Sequence, residues 1–120
     1  MKIVVTSQGS DLNSQVDPRF GRAKNFIVVD TDTEEFSAHD NTQNLNAAQG
    51  AGIQAARTVV DLGVEAVVTG NVGPKAFTTL QAGNVKVYLG ASGTVKEAIE
   101  KFKAGQLKGI DKANVQGHWA

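Results

Sequence analysis

The sequence of 120 residues contains no cysteine. This absence excludes disulfides, thiolate nucleophiles, and zinc or iron–sulfur sites ligated by cysteine. It does not exclude a metal–sulfur cluster that brings its own sulfide. The two histidines, His39 and His118, lie far apart along the chain, so the sequence gives little support for a metal site built from histidine and carboxylate ligands.

An excess of charge and a long apolar run are also missing. Twelve basic residues balance twelve acidic ones, so no overall field draws the chain to nucleic acid or to an anionic membrane. No window approaches the roughly 18 apolar residues of a membrane span, and residues 1–6 do not form a signal sequence. We therefore expect a cytoplasmic protein of one domain, in which any anion site is local.

What is present is an alternation of short apolar runs and amphipathic segments. The pattern predicts strands over 2–6, 25–30, 34–39, 66–69 and 85–89, and helices over about 49–62, 74–82 and 94–104. The short turn after the second strand indicates an antiparallel hairpin, whereas helical crossovers make the later strands parallel. We expect an α/β fold with a five-stranded mixed sheet in the order 3-2-1-4-5, flanked by helices. Residues 1–107 form the domain, and 108–120 a C-terminal tail.

Three loops follow the parallel strands, at 7–22, 70–73 and 90–93. The carboxyl ends of neighbouring parallel strands meet at one edge of a sheet, so these loops should converge. The middle loop leads into a helix that begins at Pro74, a residue suited to a first helical turn. Backbone N–H groups and the positive end of the helix dipole then face this edge. The arrangement predicts an anion-binding pocket.

The loops carry residues that suit such a pocket. Arg19 and Arg22 offer forked hydrogen-bond donors. Lys75 and Lys96 are cations in first helical turns, where the helix dipole opposes them and a bound anion would favour them. The other candidates are small or polar loop residues and one aromatic residue: Phe20, Gly21, Gly70, Asn71, Gly73, Ser92, Gly93 and Thr94.

Each candidate also has a purely structural interpretation. The arginines can pair with neighbouring aspartates, and Phe20 can be a core residue that anchors its loop. The glycines and Asn71 of the middle loop can form a tight turn with positive φ. The segment 92–94 can be the cap of the last helix, with Thr94 as N-cap and Glu97 completing a capping box.

Four segments in this order resemble the dinitrogenase iron–molybdenum cofactor biosynthesis family. They are DPRFGRA at 17–23, GAGIQAA at 50–56, TGNVGPKA at 69–76 and SGTVKEA at 92–98, and the resemblance runs from residue 2 to about 107. It implies a ribonuclease-H-like fold and a non-enzymatic binder or carrier of molybdenum- or iron-containing metal–sulfur clusters. The lack of cysteine is similar to the orange proteins of sulfate-reducing bacteria, a subgroup that holds a molybdenum–copper sulfide cluster without covalent protein ligands.

One position departs from the family pattern. Family members often carry a histidine before the Gly-x-Gly segment, and this chain has Gln49 there. The departure argues against direct metal ligation and favours an anion held by charge and hydrogen bonds. Two further functions stay open: a nucleotide or phosphate-ester binding module, although no phosphate-binding motif is present, and an interaction module of a larger complex. A ribonuclease-H-like nuclease is rejected, because the first strand carries no acid for a two-metal site.

Overall fold

The computed structural model describes residues 1–41 and 51–110. Gln49, Gly50, His118 and the rest of 42–50 and 111–120 lie outside the described residues. The described elements are, in chain order, β1 (Lys2–Ser7), β2 (Asn25–Asp30), β3 (Phe36–Asp40), α1 (Ala51–Asp61), β4 (Ala66–Val68), α2 (Pro74–Ala82), β5 (Lys86–Leu89), α3 (Val95–Lys103) and β6 (Lys108–Ile110).

The strands form one mixed sheet in the order β3-β2-β1-β4-β5-β6 in the described part of the chain. The β1–β2 and β2–β3 pairs are antiparallel, whereas β4 pairs in parallel with both β1 and β5. The predicted α/β class and the order of the first five strands are therefore confirmed. The parallel strands β1, β4 and β5 are neighbours, so their carboxyl ends lie along one edge of the sheet.

The sheet has one strand more than the five predicted. Lys108–Ile110, which the sequence analysis assigned to the tail, pairs antiparallel with β5, with Ile110 opposite Val87. Gly105 ends α3 with a φ of 73°, which lets the chain turn back to the sheet. A strand of three residues carries too little periodicity to be recognised, so only its pairing with β5 identifies it.

Helices cover both faces of the sheet. On one face, α1 and α2 pack over Val4 and Val67; on the other, α3 packs over Ile3, Val5 and Val68. Successive residues of a strand point to opposite faces, so the continuous apolar runs of β1 and β4 contribute to both layers. None of the helices in residues 1–41 and 51–110 is long and apolar enough to cross a membrane.

Candidate functional site

The three predicted loops converge at the carboxyl edge of the parallel strands. The ends of β1 and β4 are joined there by a buried contact in which the hydroxyl oxygens of Thr6 and Thr69 lie 2.9 Å apart. The Thr6 hydroxyl also donates to the carbonyl of Asp17 at 2.7 Å. The long loop after β1 is thus held against the strand ends from inside the protein.

This long loop is hydrogen-bonded to both of the other loops. Val16 N donates to the carbonyl of Gly93 at 2.8 Å on one side. On the other side, Asn71 N donates to the carbonyl of Pro18 at 2.7 Å, and Phe20 N donates to the carbonyl of Asn71 at 3.2 Å. The long loop therefore contacts one group of predicted site residues beside α2 and another beside α3.

Phe20 anchors the loop on the α2 side. Its side chain is fully buried and stacks on Phe26, with ring centroids 5.9 Å apart. Gly21, the next residue, is buried as well. Phe20 has no exposed surface with which to contact a ligand, so its packing agrees with the structural interpretation.

Gly70 is required by a close approach and not by its φ. A Cβ at this position would lie 2.7 Å from the carbonyl oxygen of Pro18 and 2.8 Å from its Cα. Positive φ occurs at other glycines of the described chain, and Gly73 has a φ of −84°. The interpretation of Gly70, Asn71 and Gly73 as positive-φ turn residues is therefore wrong. Gly70 lets the two loops touch.

The N-terminus of α2 has no side-chain cap. Gly73 is its N-cap and has no side chain to accept a hydrogen bond, and Pro74 has no N–H. The first intrahelical bond runs from Phe77 N to the carbonyl of Gly73, at 3.0 Å. Within the described residues, no acceptor lies on the amides of Lys75 and Ala76. Ala76 is fully buried, so the N–H group of the exposed Lys75, together with the positive end of the dipole, remains for an anion.

Two exposed cations lie at the same end. Arg19 is paired through its backbone with Asn71 in a parallel bridge, and half of its side chain is exposed. Its Nε lies 3.7 Å from Oδ1 of Asp17. Lys75 is exposed and forms no salt bridge in the described part of the chain. Arg22, the other candidate arginine, is half-buried. We call Arg19, Gly70, Asn71, Gly73 and Lys75 the α2 site.

The N-terminus of α3, in contrast, is fully occupied. Val95 N donates to the carbonyl of Ser14, and Lys96 N to the carbonyl of Leu12, each at 2.9 Å. The predicted capping box is confirmed: Glu97 N donates to Thr94 Oγ1 at 3.1 Å. With these amides bonded, this helix end presents no free first-turn donor to an anion.

The capping box also changes the electrostatics of Glu97. Its Oε1 accepts from Thr94 N at 2.9 Å and from the Thr94 hydroxyl at 3.1 Å. These hydrogen bonds favour the ionised carboxylate, and the bond from the backbone N–H contributes most, so the pKa of Glu97 is lowered. The negative charge lies at a helix N-terminus, where the dipole favours it as well.

The other candidates beside α3 are residues of its cap, its first turn and the loop before it. Gly93 has a φ of 77°, and a Cβ there would lie 2.7 Å from Glu97 Oε1. Lys96 lines a groove on the α3 face with Asp11 and Glu100, away from the start of α2. Ser92 is exposed in the loop between β5 and α3. The loop that carries Ser92 and Gly93 nevertheless contacts the middle loop, because Gly90 N donates to the carbonyl of Gly70 at 3.5 Å and Ala91 N to that of Thr69 at 3.2 Å. Thr94 is engaged in the capping box, and Lys96 lies in the groove on the α3 face.

Sequence reasoning missed one contributor, Asp17. Asp17 was considered only as an ion-pair partner, yet it is 3% exposed and contacts Arg19 twice. The signal in the sequence that could have indicated Asp17 is a carboxylate two residues before an arginine in a glycine-containing loop.

The donor set decides which chemistry the α2 site supports. It combines backbone N–H groups, a guanidinium and an ammonium, all of which bind anions. The described residues contain no cluster of three or more His, Asp or Glu that could hold a metal ion. An anionic group held by charge and hydrogen bonds therefore fits these residues better than a metal ion bound directly by side chains.

Comparison with known proteins then identifies the family. Residues 1–105 match the family described as dinitrogenase iron-molybdenum cofactor. The chain belongs to this family. The match spans all three loops of the carboxyl edge, and the described strand order agrees with the fold expected from the resemblance.

Solved structures of similar proteins share the fold along nearly the whole chain. The apo orange protein of Desulfovibrio gigas is 42% identical, with 95% of this chain and 96% of that chain covered and a TM-score of 0.92. A putative NifB protein from Thermotoga is 39% identical, with 97% and 98% covered and a TM-score of 0.83. An uncharacterized protein of Methanocaldococcus jannaschii is 29% identical over 98 residues, 80% of this chain and 83% of that one.

Proposed function

We propose that this protein is a non-enzymatic carrier of a molybdenum-containing metal–sulfur cluster, held non-covalently at the α2 site. The observation that carries the proposal is the uncapped N-terminus of α2, with Lys75 exposed in its first turn, beside the exposed Arg19. Membership of the iron–molybdenum cofactor family and the similarity to the apo orange protein support a cluster as the cargo. A mixed molybdenum–copper sulfide is the composition we propose.

The chemistry of the cargo suits the donors. A thiomolybdate-type cluster is a bulky polyanion whose outer atoms accept hydrogen bonds and whose charge needs local cations. The amide of Lys75 lies at the positive end of the α2 dipole, and Arg19 and Lys75 add two positive charges in a chain with no net charge. Because the chain has no thiol, binding should survive thiol-blocking reagents and weaken as salt screens the charges.

An anaerobic titration tests the proposal. The purified protein is mixed with tetrathiomolybdate and copper, desalted, and examined by visible spectroscopy and metal analysis. We expect a coloured species that co-elutes with the protein at a fixed ratio of molybdenum and copper to protein. A protein that elutes colourless and metal-free would contradict the proposed cargo. Iron–molybdenum cofactor precursors would be the next cargo to test.

A phosphate ester is the alternative that the same geometry supports, because phosphates also bind at open helix N-termini. Calorimetric titration with common nucleotides separates the two functions. Heat of binding from a nucleotide, together with no uptake of thiomolybdate and copper, would favour the phosphate-binding module. Cluster uptake without nucleotide binding is the result that we expect.

A further inference from the structure

We infer that Asp17 is a positioning residue that orients the Arg19 guanidinium toward the anion bound at the α2 site. The inference rests on the proposed function and extends it, because it states how Arg19 is oriented and which shape of anion it recognises. It concerns a buried carboxylate that carries negative charge next to a site for anions. Simple charge complementarity does not account for an acid at this position.

The position of Asp17 is set from the core side. Its backbone N donates to the carbonyl of Thr6 at 3.0 Å, and its carbonyl accepts from the Thr6 hydroxyl at 2.7 Å. The residue is 3% exposed, and a buried carboxylate is unfavourable unless its oxygens are hydrogen-bonded or paired with a cation. The strand end thus holds Asp17 in place, and its side chain needs a partner.

Arg19 supplies that partner twice. Oδ1 of Asp17 accepts from Arg19 N at 3.0 Å and lies 3.7 Å from Arg19 Nε. On its other side, the Arg19 backbone is paired with Asn71, whose N donates to the carbonyl of Pro18. The backbone and the inner end of the guanidinium are therefore both held, although half of the side chain is exposed.

The ion pair with Asp17 determines which N–H donors of the Arg19 guanidinium remain available. A guanidinium carries five N–H donors, one on Nε and four on the two outer nitrogens. Asp17 faces Nε, and the described residues provide no other partner for the guanidinium of Arg19. The two outer nitrogens form a fork that matches an anion with two acceptor atoms along one edge, such as two sulfides of a thiomolybdate.

The sign of a mutational effect separates positioning from plain electrostatics. Coulomb attraction alone predicts that removing the Asp17 charge tightens anion binding. Positioning predicts the opposite, because the freed guanidinium samples more orientations and loses its alignment. Asp17→Asn is suited to this test, since its amide oxygen still accepts from Arg19 N while the ion pair with Nε is lost.

The experiment measures tetrathiomolybdate binding, with copper present, for wild type, Asp17→Asn, Arg19→Ala and the double variant. Glu34→Gln is the matched control, because it also removes one carboxylate from an ion pair, the exposed pair of Glu34 with Lys103 at 3.5 Å. We expect Asp17→Asn to weaken binding about tenfold, as loss of an orienting partner does at metal sites. In the Arg19→Ala background, Asp17→Asn should cause no further loss.

A second readout examines the guanidinium without ligand. In NMR spectra of the unliganded protein, the Arg19 Nε–H should exchange more slowly and be more ordered in wild type than in Asp17→Asn. Equal order in both proteins, or binding by Asp17→Asn as tight as wild type, would overturn the inference alone. If Asp17→Asn weakened binding further in the Arg19→Ala background, Asp17 would have a general structural role, and the inference would also be overturned. A wild type that binds no thiomolybdate would overturn the proposed function, and the inference with it.

Discussion

The hydroxyl oxygens of Thr6 and Thr69 lie 2.9 Å apart at the adjacent carboxyl ends of β1 and β4, and both residues are fully buried. Because a hydroxyl has one proton, a Thr6 that donates to the carbonyl of Asp17 accepts from Thr69. This chain of hydrogen bonds joins two strand ends to the loop that carries Arg19. It links the packing of the core to the shape of the α2 site.

Replacing these hydroxyls should have unequal effects. Thr6→Val leaves the carbonyl of Asp17 without its hydroxyl donor and should lower the free energy of unfolding by about 1–3 kcal/mol. Thr69→Val should have a smaller effect, since Thr6 keeps its bond to Asp17. Urea unfolding measures both. A larger loss for Thr69→Val than for Thr6→Val would show that the hydrogen bonds are not arranged in this way.

Lys75 and Lys96 form a matched pair for testing the site. Each is the second residue of its helix and exposed, but only the first turn of α2 has amides without acceptors in the described chain. We expect Lys75→Ala to weaken uptake of thiomolybdate and copper about fivefold, the effect of an exposed charge pair of about 1 kcal/mol. Lys96→Ala should leave uptake unchanged. Equal losses would indicate that overall charge, and not the α2 site, holds the cargo.

Substitutions at Gly70 and Gly90 distinguish a glycine that is needed for close contact with a neighbouring loop from one that is needed for its positive φ. Asparagine tolerates positive φ, so Gly90→Asn should be accepted, because φ there is 84° and no atom lies within 4 Å of a new Cβ. Gly70→Asn should lower the free energy of unfolding by about 1–3 kcal/mol, since its Cβ would overlap Pro18. Thermal unfolding of the two variants measures the difference. Similar stability of both would argue against the contact between Gly70 and Pro18.

The pKa of Glu97 predicts a dependence of stability on pH. The hydrogen bonds from Thr94 lower this pKa in the folded protein. The stability they contribute is present above the ordinary pKa of a glutamate and is lost as the pH falls through the lowered value. Wild type should therefore be more stable than Glu97→Gln at neutral pH, and the two should converge in acid. Asp30, whose pKa is also lowered, is common to both proteins and cancels in the comparison.

A substitution of the N-cap residue Thr94 provides an internal check on the pH dependence attributed to Glu97. Thr94→Ala should reduce the free energy of unfolding by about 1 kcal/mol, the usual effect of losing an N-cap hydroxyl. It also removes one hydrogen bond to the Glu97 carboxylate. The difference in stability between Thr94→Ala and Thr94→Ala/Glu97→Gln should then vary less with pH than the difference measured in wild type. A pH dependence that is unchanged by Thr94→Ala would contradict a contribution from its hydroxyl.

Local patterns in the sequence determined much of this protein. The apolar run of β1 marks a strand buried on both faces, Pro74 marks the start of α2, and Thr94 with Glu97 marks the cap of α3. Each of these signals depends on residues adjacent in sequence or within one helical turn. The alternation of strands and helices then limits the possible topologies, because crossover connections are right-handed and short. The order of the first five strands followed from these rules.

Tertiary structure alone decided what the three loops do. The carbonyls of Leu12 and Ser14 accept from the first amides of α3, whereas the amide of the exposed Lys75 in α2 has no acceptor in the described chain. Every residue has a carbonyl, so no side-chain pattern shows which helix end a distant loop will reach. β6 could not be predicted for the same reason, because its three residues become a strand only through pairing with β5. The sequence by itself determined the fold around the carboxyl edge, and long-range backbone hydrogen bonds decided which helix N-terminus remains available to an anion.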